Sequence, residues 1–94
     1  MVNGIFIDPR DVVVTLAAPV KAGDTVAYTD GGEKKTVVAR QDIAVFHKMA
    51  VKPVEKGGRV VKYGELIGIA SADILPGDHV HTHNVAEPER KEQP

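Results

Sequence analysis

The chain has no cysteine and no tryptophan, and aromatic residues make up only 4% of its 94 positions. Without cysteine there is no disulfide, no thiolate nucleophile and no thiolate metal ligand. That composition fits a reducing compartment. Charge of one sign is missing too: twelve basic residues face thirteen acidic ones, for a formal net charge of −1. A nucleic-acid surface needs clustered Lys and Arg to neutralise phosphates, so broad nucleic-acid binding is excluded. No run approaches the ~18 apolar residues that span a bilayer. The start, Met1-Val2-Asn3-Gly4, lacks the positive segment and apolar run of a signal peptide. The expectation is a cytoplasmic protein with no membrane partner. No P-loop or dinucleotide fingerprint is present.

What the chain does have is valine, fifteen of them, with six isoleucines. Branched side chains of this kind favour strands. A chain of this length makes one domain and buries somewhat over ~60% of its unfolded surface. The expectation is an all-β, compact domain. Strands are read at Ile5-Phe6-Ile7, Asp11 to Leu16, Thr25 to Thr29, Lys35 to Arg40, around His47 within Ile43 to Val51, and Glu65 to Ala70. The best candidates for a helical turn are Gln41 to Val45 and Tyr63 to Leu66. Tyr63 is expected to pack with its hydroxyl at the edge, and Asp8 and Asp11 to be turn residues around Pro9. Residues 87–94 are charged, carry two prolines and lack large apolar groups. They read as a flexible tail following a domain over 1–86.

Three eight-residue segments resemble one another: Pro19 to Val26, Pro53 to Val60 and Asp73 to Val80. Each has an apolar residue second, a glycine fifth and a valine eighth. The apolar residue anchors one strand end, the glycine turns the chain, and the valine begins the next strand. Short strands with repeated tight turns describe a much-bent β module with short glycine turns.

Chemistry is concentrated in Asp78-His79-Val80-His81-Thr82-His83-Asn84. The only other histidine is His47. Imidazole binds transition metals and moves protons near neutral pH. On a strand, positions i, i+2 and i+4 share a face, so three imidazoles would line one side. Neighbours two apart are roughly 6.6 Å apart along a strand, and two such rings can lean onto one ion with bonds of about 2 Å. The outer pair, roughly 13 Å apart, cannot do so unless the strand bends. One adjacent pair is expected to act together, with His47 as candidate third ligand.

Asp73-Ile74-Leu75-Pro76-Gly77-Asp78-His79-Val80 matches the Asp-Ile-x-x-Gly-x-x-Val signature of SAF domains, a resemblance that implies a β-clip fold. The His79-to-Asn84 run, His47-Lys48-Met49-Ala50 and Val61-Lys62-Tyr63-Gly64-Glu65-Leu66-Ile67-Gly68 narrow it. Together these resemble, over about residues 10 to 85, the N-terminal module of altronate and galactarate dehydratases. Single-chain members carry a much larger C-terminal part. Others are split, as altronate dehydratase and (2R)-sulfolactate sulfo-lyase can be, into a small and a large subunit. The resemblance implies a small subunit that works with a large catalytic subunit on a small hydroxy-acid substrate. It also implies a divalent metal, Fe2+. The family usually shows glycine before His-Lys, where this chain has Phe46.

On that resemblance, His81 and His83 are the expected metal ligands, with His47 and His79 as catalytic groups. Lys48 is expected to bind a substrate carboxylate. Asn84 is expected to bond a hydroxyl or orient an imidazole. Each has a plainer competitor. An exposed His-x-His is often solvated surface, His47 can be a packed histidine, and Lys48 can be an ordinary strand residue. At the level of the whole chain, the alternative is a freestanding binding module for a small acid or a metal. A third possibility, a pilus- or flagellum-type chaperone, is disfavoured by the histidine run. Exposed strand edges also predict homodimers.

Overall fold

The computed structural model describes residues 3–87. The expected tail therefore lies, beyond residue 87, outside the described residues. Among these the chain is all strand and turn, with no helix. The strands are β1 (Gly4–Ile5), β2 (Val13–Leu16), β3 (Thr25–Asp30), β4 (Glu33–Val38), β5 (Lys48–Ala50), β6 (Arg59–Lys62), β7 (Glu65–Ala70), β8 (His79–Val80) and β9 (Val85–Ala86). They form a four-stranded sheet in the order β1-β2-β5-β8, a β3-β4 hairpin, and a three-stranded sheet β6-β7-β9. All pairings are antiparallel.

Three of the strands expected from the sequence are shorter than read: Ile5 to Ile7 gives Gly4–Ile5 and Asp11 to Leu16 gives Val13–Leu16. The Ile43-to-Val51 strand contracts to β5, because Ile43 makes only an isolated bridge to Val20. Neither candidate helical turn forms. Within Gln41 to Val45 the Ile43 backbone bridges to Val20 instead, and Tyr63 and Gly64 have φ of 57° and 75°, a left-handed region that a right-handed helix cannot contain.

The repeat seen in the sequence organises two cores. One contains Leu16, Val20, Val26, Ala39, Ile43 and Met49; the other contains Ala50, Val54, Val60, Ala70, Ile74 and Val80. Taken in order, these pair one to one. The offset is 34 residues before each hairpin and 31 after it, because the second hairpin is shorter. The bridges Val20–Ile43 and Val54–Ile74 close the two halves in the same way. Strand β2 serves both cores: Val14 and Leu16 enter the first and Val13 the second, as side-chain alternation requires. Each fully buried Val or Ile contributes about 1.5–3 kcal/mol, so neither half has much surplus.

The duplication contains a fourth copy of the turn. Asp42-Ile43-Ala44-Val45-Phe46-His47-Lys48-Met49 follows the same course as Asp73 to Val80, and Phe46 stands where the others have Gly23, Gly57 and Gly77. In all four turns the backbone N–H of the fifth residue donates across the module, to Ala39, Leu16, Ala70 and Ala50 oxygens respectively, at 2.8 Å each. Sequence comparison finds three copies because a phenylalanine conceals the other.

Asp11 is more than a turn residue. It is 1% exposed. Its Oδ1 accepts the Gly64 N–H at 2.8 Å and its Oδ2 accepts the Asp8 N–H at 3.2 Å. The carboxylate thereby ties the Asp8–Arg10 turn to the tip of the β6–β7 hairpin, beside the groove described below. Losing it strands two backbone donors, at about 1–3 kcal/mol for each one left buried.

Candidate functional site

Strand register brings the histidines together. β5 and β8 pair Lys48 with Val80 and Met49 with His79. One step further along the same register sets His47 opposite His81. Directly opposed and diagonal residues are the ones that touch across a ladder. The His47 ring stacks on His81 with centroids 4.8 Å apart and lies 5.1 Å from His79. His79 and His81, two apart, are nearly parallel at 5.5 Å.

The expected straight ribbon through His83 does not form. The strand stops at Val80, and the chain turns, with Asn84 N–H and Val85 N–H both donating to the His81 carbonyl at 3.1 and 3.0 Å. That bend swings the His83 ring to 5.2 Å from His79. Asn84, only 8% exposed, holds the bend. Its Oδ1 accepts the His81 N–H at 3.0 Å, and its Nδ2 donates to the His79 carbonyl at 2.8 Å. The Asn84 amide is thus occupied by the backbone that carries the imidazoles. Gln41, which sequence reading passed over, accepts the His79 N–H through Oε1 at 2.7 Å. Nothing in its local sequence marks it, since the contact spans 38 positions.

Ligand atoms of His47, His79 and His81 all lie within 4.8 Å of one another, the one such group of histidines or acids among the described residues. His83 stands outside it. His47 Nδ1 and His79 Nε2 are 2.9 Å apart. In the free chain one ring N–H donates to the other ring's lone pair, which requires an unprotonated nitrogen on the acceptor. The same spacing suits a shared ion: two nitrogens each bonded at about 2.1 Å are about 3 Å apart at a right angle. Three neutral imidazoles are a fitting donor set for a divalent transition metal such as iron or zinc.

The electrostatics favour a neutral ring at His79. The pKa of His79 is lowered, first by burial and then by the charges of His83, His47, His81 and Lys48. Free of metal, the folded chain resists taking up that proton while the unfolded chain accepts it at the ordinary value. Stability is therefore fully present above about pH 6.5 and falls as pH drops through the lower folded value. Denaturant midpoints should decline between pH 7.5 and pH 5, and less steeply in a His79→Gln variant. Equal slopes would remove His79 as the cause.

Beside the trio lies a groove of about 650 Å³ lined by Lys48, Lys62, Tyr63, Glu65, Ile67 and His81, among others. Lys48 is half-buried on β5, across from Thr15 and Val80. Tyr63, expected to pack, is instead 50% exposed, with the Lys62 ammonium 4.4 Å from its ring centre. Lys48, Lys62 and Glu65 are in none of the ion pairs found among the described residues. Free cations, a carboxylate acceptor and an aromatic face suit a small polar acid. Of these residues, Lys62 was legible only as family motif.

A small all-β module with a histidine-lined edge is the class that fold and site define. Residues 2–88 match the family model described as the altronate/galactarate dehydratase SAF domain. The chain belongs to that family. It is 42% identical over 80 residues to altronate dehydratase of Escherichia coli, a match covering 85% of this chain and 15% of that protein. It is 40% identical over 81 residues to the (2R)-sulfolactate sulfo-lyase subunit alpha of Chromohalobacter salexigens, covering 83% and 86% respectively. A 48-residue match to the subunit alpha of Paracoccus pantotrophus is 46% identical. The names of these relatives mark a lyase-related module, and "subunit alpha" names a part of a multi-subunit enzyme. Among the described residues no helix is long and apolar enough to cross a membrane.

Proposed function

We propose that this chain is the small, histidine-bearing subunit of a hydroxy-acid lyase, and that a large catalytic subunit completes its active site. The convergence of His47, His79 and His81 carries the reading. The near end-to-end match with a subunit alpha supports the division into two polypeptides.

Elimination of water or sulfite from a 2-hydroxy acid needs an anchor for the carboxylate, a base for the α-proton and help for the leaving group. His47, His79 and His81 would hold a divalent metal, Fe2+ on the family resemblance. Such an ion supplies Lewis acidity to a carboxylate or hydroxyl. Lys48 at the groove wall anchors the substrate carboxylate as a point charge. His83, outside the trio but against His79, is the imidazole left free to take a proton. Gln41 and Asn84 hold the His79 backbone from both sides and keep the rings in register.

The chain alone should not turn over altronate or sulfolactate. Mixed with the large subunit, it should turn over one of them. Turnover by the chain alone, or by the large subunit alone at the full rate, contradicts the proposal.

A further inference from the structure

Phe46 combines three properties found together nowhere else among the described residues. Its backbone sits at φ 70°. Its ring is 75% exposed, the most exposed of the large apolar side chains. It also directly precedes His47, a member of the imidazole trio. The three equivalent turns fill this position with Gly23, Gly57 and Gly77, at φ of 95°, 88° and 96°, where a residue without Cβ is at ease. A phenylalanine there is strained, and so exposed a ring gains little from packing within the chain. Neither its backbone nor its burial accounts for it. Strain and exposed apolar surface next to a site are expected where a second surface must land.

We infer that Phe46 is an anchor for the large lyase subunit, inserting its ring into that partner and so fixing the cover over the histidine trio. This rests on the two-subunit reading above. The occupant follows from the relatives. This chain spans 15% of Escherichia coli altronate dehydratase, so most of that protein lies outside the matching module and must meet it somewhere. The histidine edge is where meeting would matter, since His81 is exposed and no other described residue covers it. A buried aromatic at the centre of an interface is a frequent carrier of binding energy, and Phe46 is the more exposed of the two aromatics near the trio, Tyr63 being the other.

The test exploits opposite signs. Phe46→Gly restores the residue type of the sister turns, so the melting temperature of the chain should stay level or rise by up to about 4 °C. Its affinity for the large subunit, read by calorimetry or interferometry, should fall at least tenfold. Phe46→Trp keeps an aromatic ring and should bind within about threefold of wild type. A residue with only a structural role would lose stability in the glycine variant. Unchanged affinity in Phe46→Gly overturns the anchor and leaves the two-subunit reading standing. Complete absence of a complex with wild type overturns both. If the isolated chain dimerises and Phe46→Gly abolishes only that, the occupant is a second copy and the inference is wrong.

Discussion

Gly77→Ala will destabilise the fold severely, whereas Gly57→Ala in the sister turn will do so mildly. All the elements of this contrast are local. Both glycines sit at the fifth position of the repeated turn, with φ of 96° and 88°, so both substitutions carry the left-handed penalty of roughly 1–2 kcal/mol. They differ in surroundings. A Cβ at Gly57 meets nothing within 4 Å. At Gly77 it would stand 2.2 Å from the Val38 carbonyl oxygen and 2.9 Å from Arg40 Cγ. The two segments cannot easily draw apart, because Arg40 N–H donates to the Gly77 carbonyl and Gly77 N–H donates to the Ala50 carbonyl, each at 2.8 Å. Gly77 is where the second half of the module docks on the first. Urea unfolding should show Gly57→Ala losing about 1–2 kcal/mol. Gly77→Ala should lose on the order of 3 kcal/mol or more, a large fraction of the stability of a domain of this size. Equal losses would contradict the close approach.

The second large effect separates two imidazoles only two residues apart. With the large subunit present and metal supplied, His81→Ala should abolish lyase activity and metal uptake together, because it removes one of three converging ligands. His83→Ala should reduce kcat by about 10²–10⁴, the span of a lost general base, while metal content stays at wild type. Neither should unfold the chain: His81 and His83 are exposed, and the turn between them is held by Asn84 and the His81 main chain. Loss of metal in His83→Ala with retention in His81→Ala would reverse the assignment.

The sequence made the fold class readable because valine and isoleucine dominate, and the glycine turns recur at a spacing only short strands can fill. Thr25 to Thr29 and Glu65 to Ala70 were recovered closely, since Asp30-Gly31-Gly32 closes the first and Gly64 opens the second. The fourth turn escaped because Phe46 occupies a glycine's place, and the backbone tolerates it there at a cost in strain. The importance of the histidines was plain from their spacing, but their grouping was not. Alternation along an ideal strand favours neighbours such as His81 and His83. His47, the candidate third ligand, lies just before β5 and meets His79 and His81 across the ladder, while the bend after Val80 leaves His83 outside the group, so cross-strand register outweighs spacing along the strand. Asn84 and Gln41 act on backbone atoms, and their partners lie where no local pattern reports them. Asp11 was visible as a turn acid, while its bond to Gly64, 53 positions away, was not.

Direct observation of the imidazoles during metal titration tests the central claim. With the isolated chain at pH 7.5, Co2+ stands in for Fe2+, and the histidine ring resonances are followed by nuclear magnetic resonance. At one equivalent, His47, His79 and His81 should broaden or shift together, with His83 affected less. Raising the acidity to pH 5 should release the ion, since protonated rings do not bind it. Rings that remain unperturbed at several equivalents, or a response confined to His81 and His83, would contradict the account.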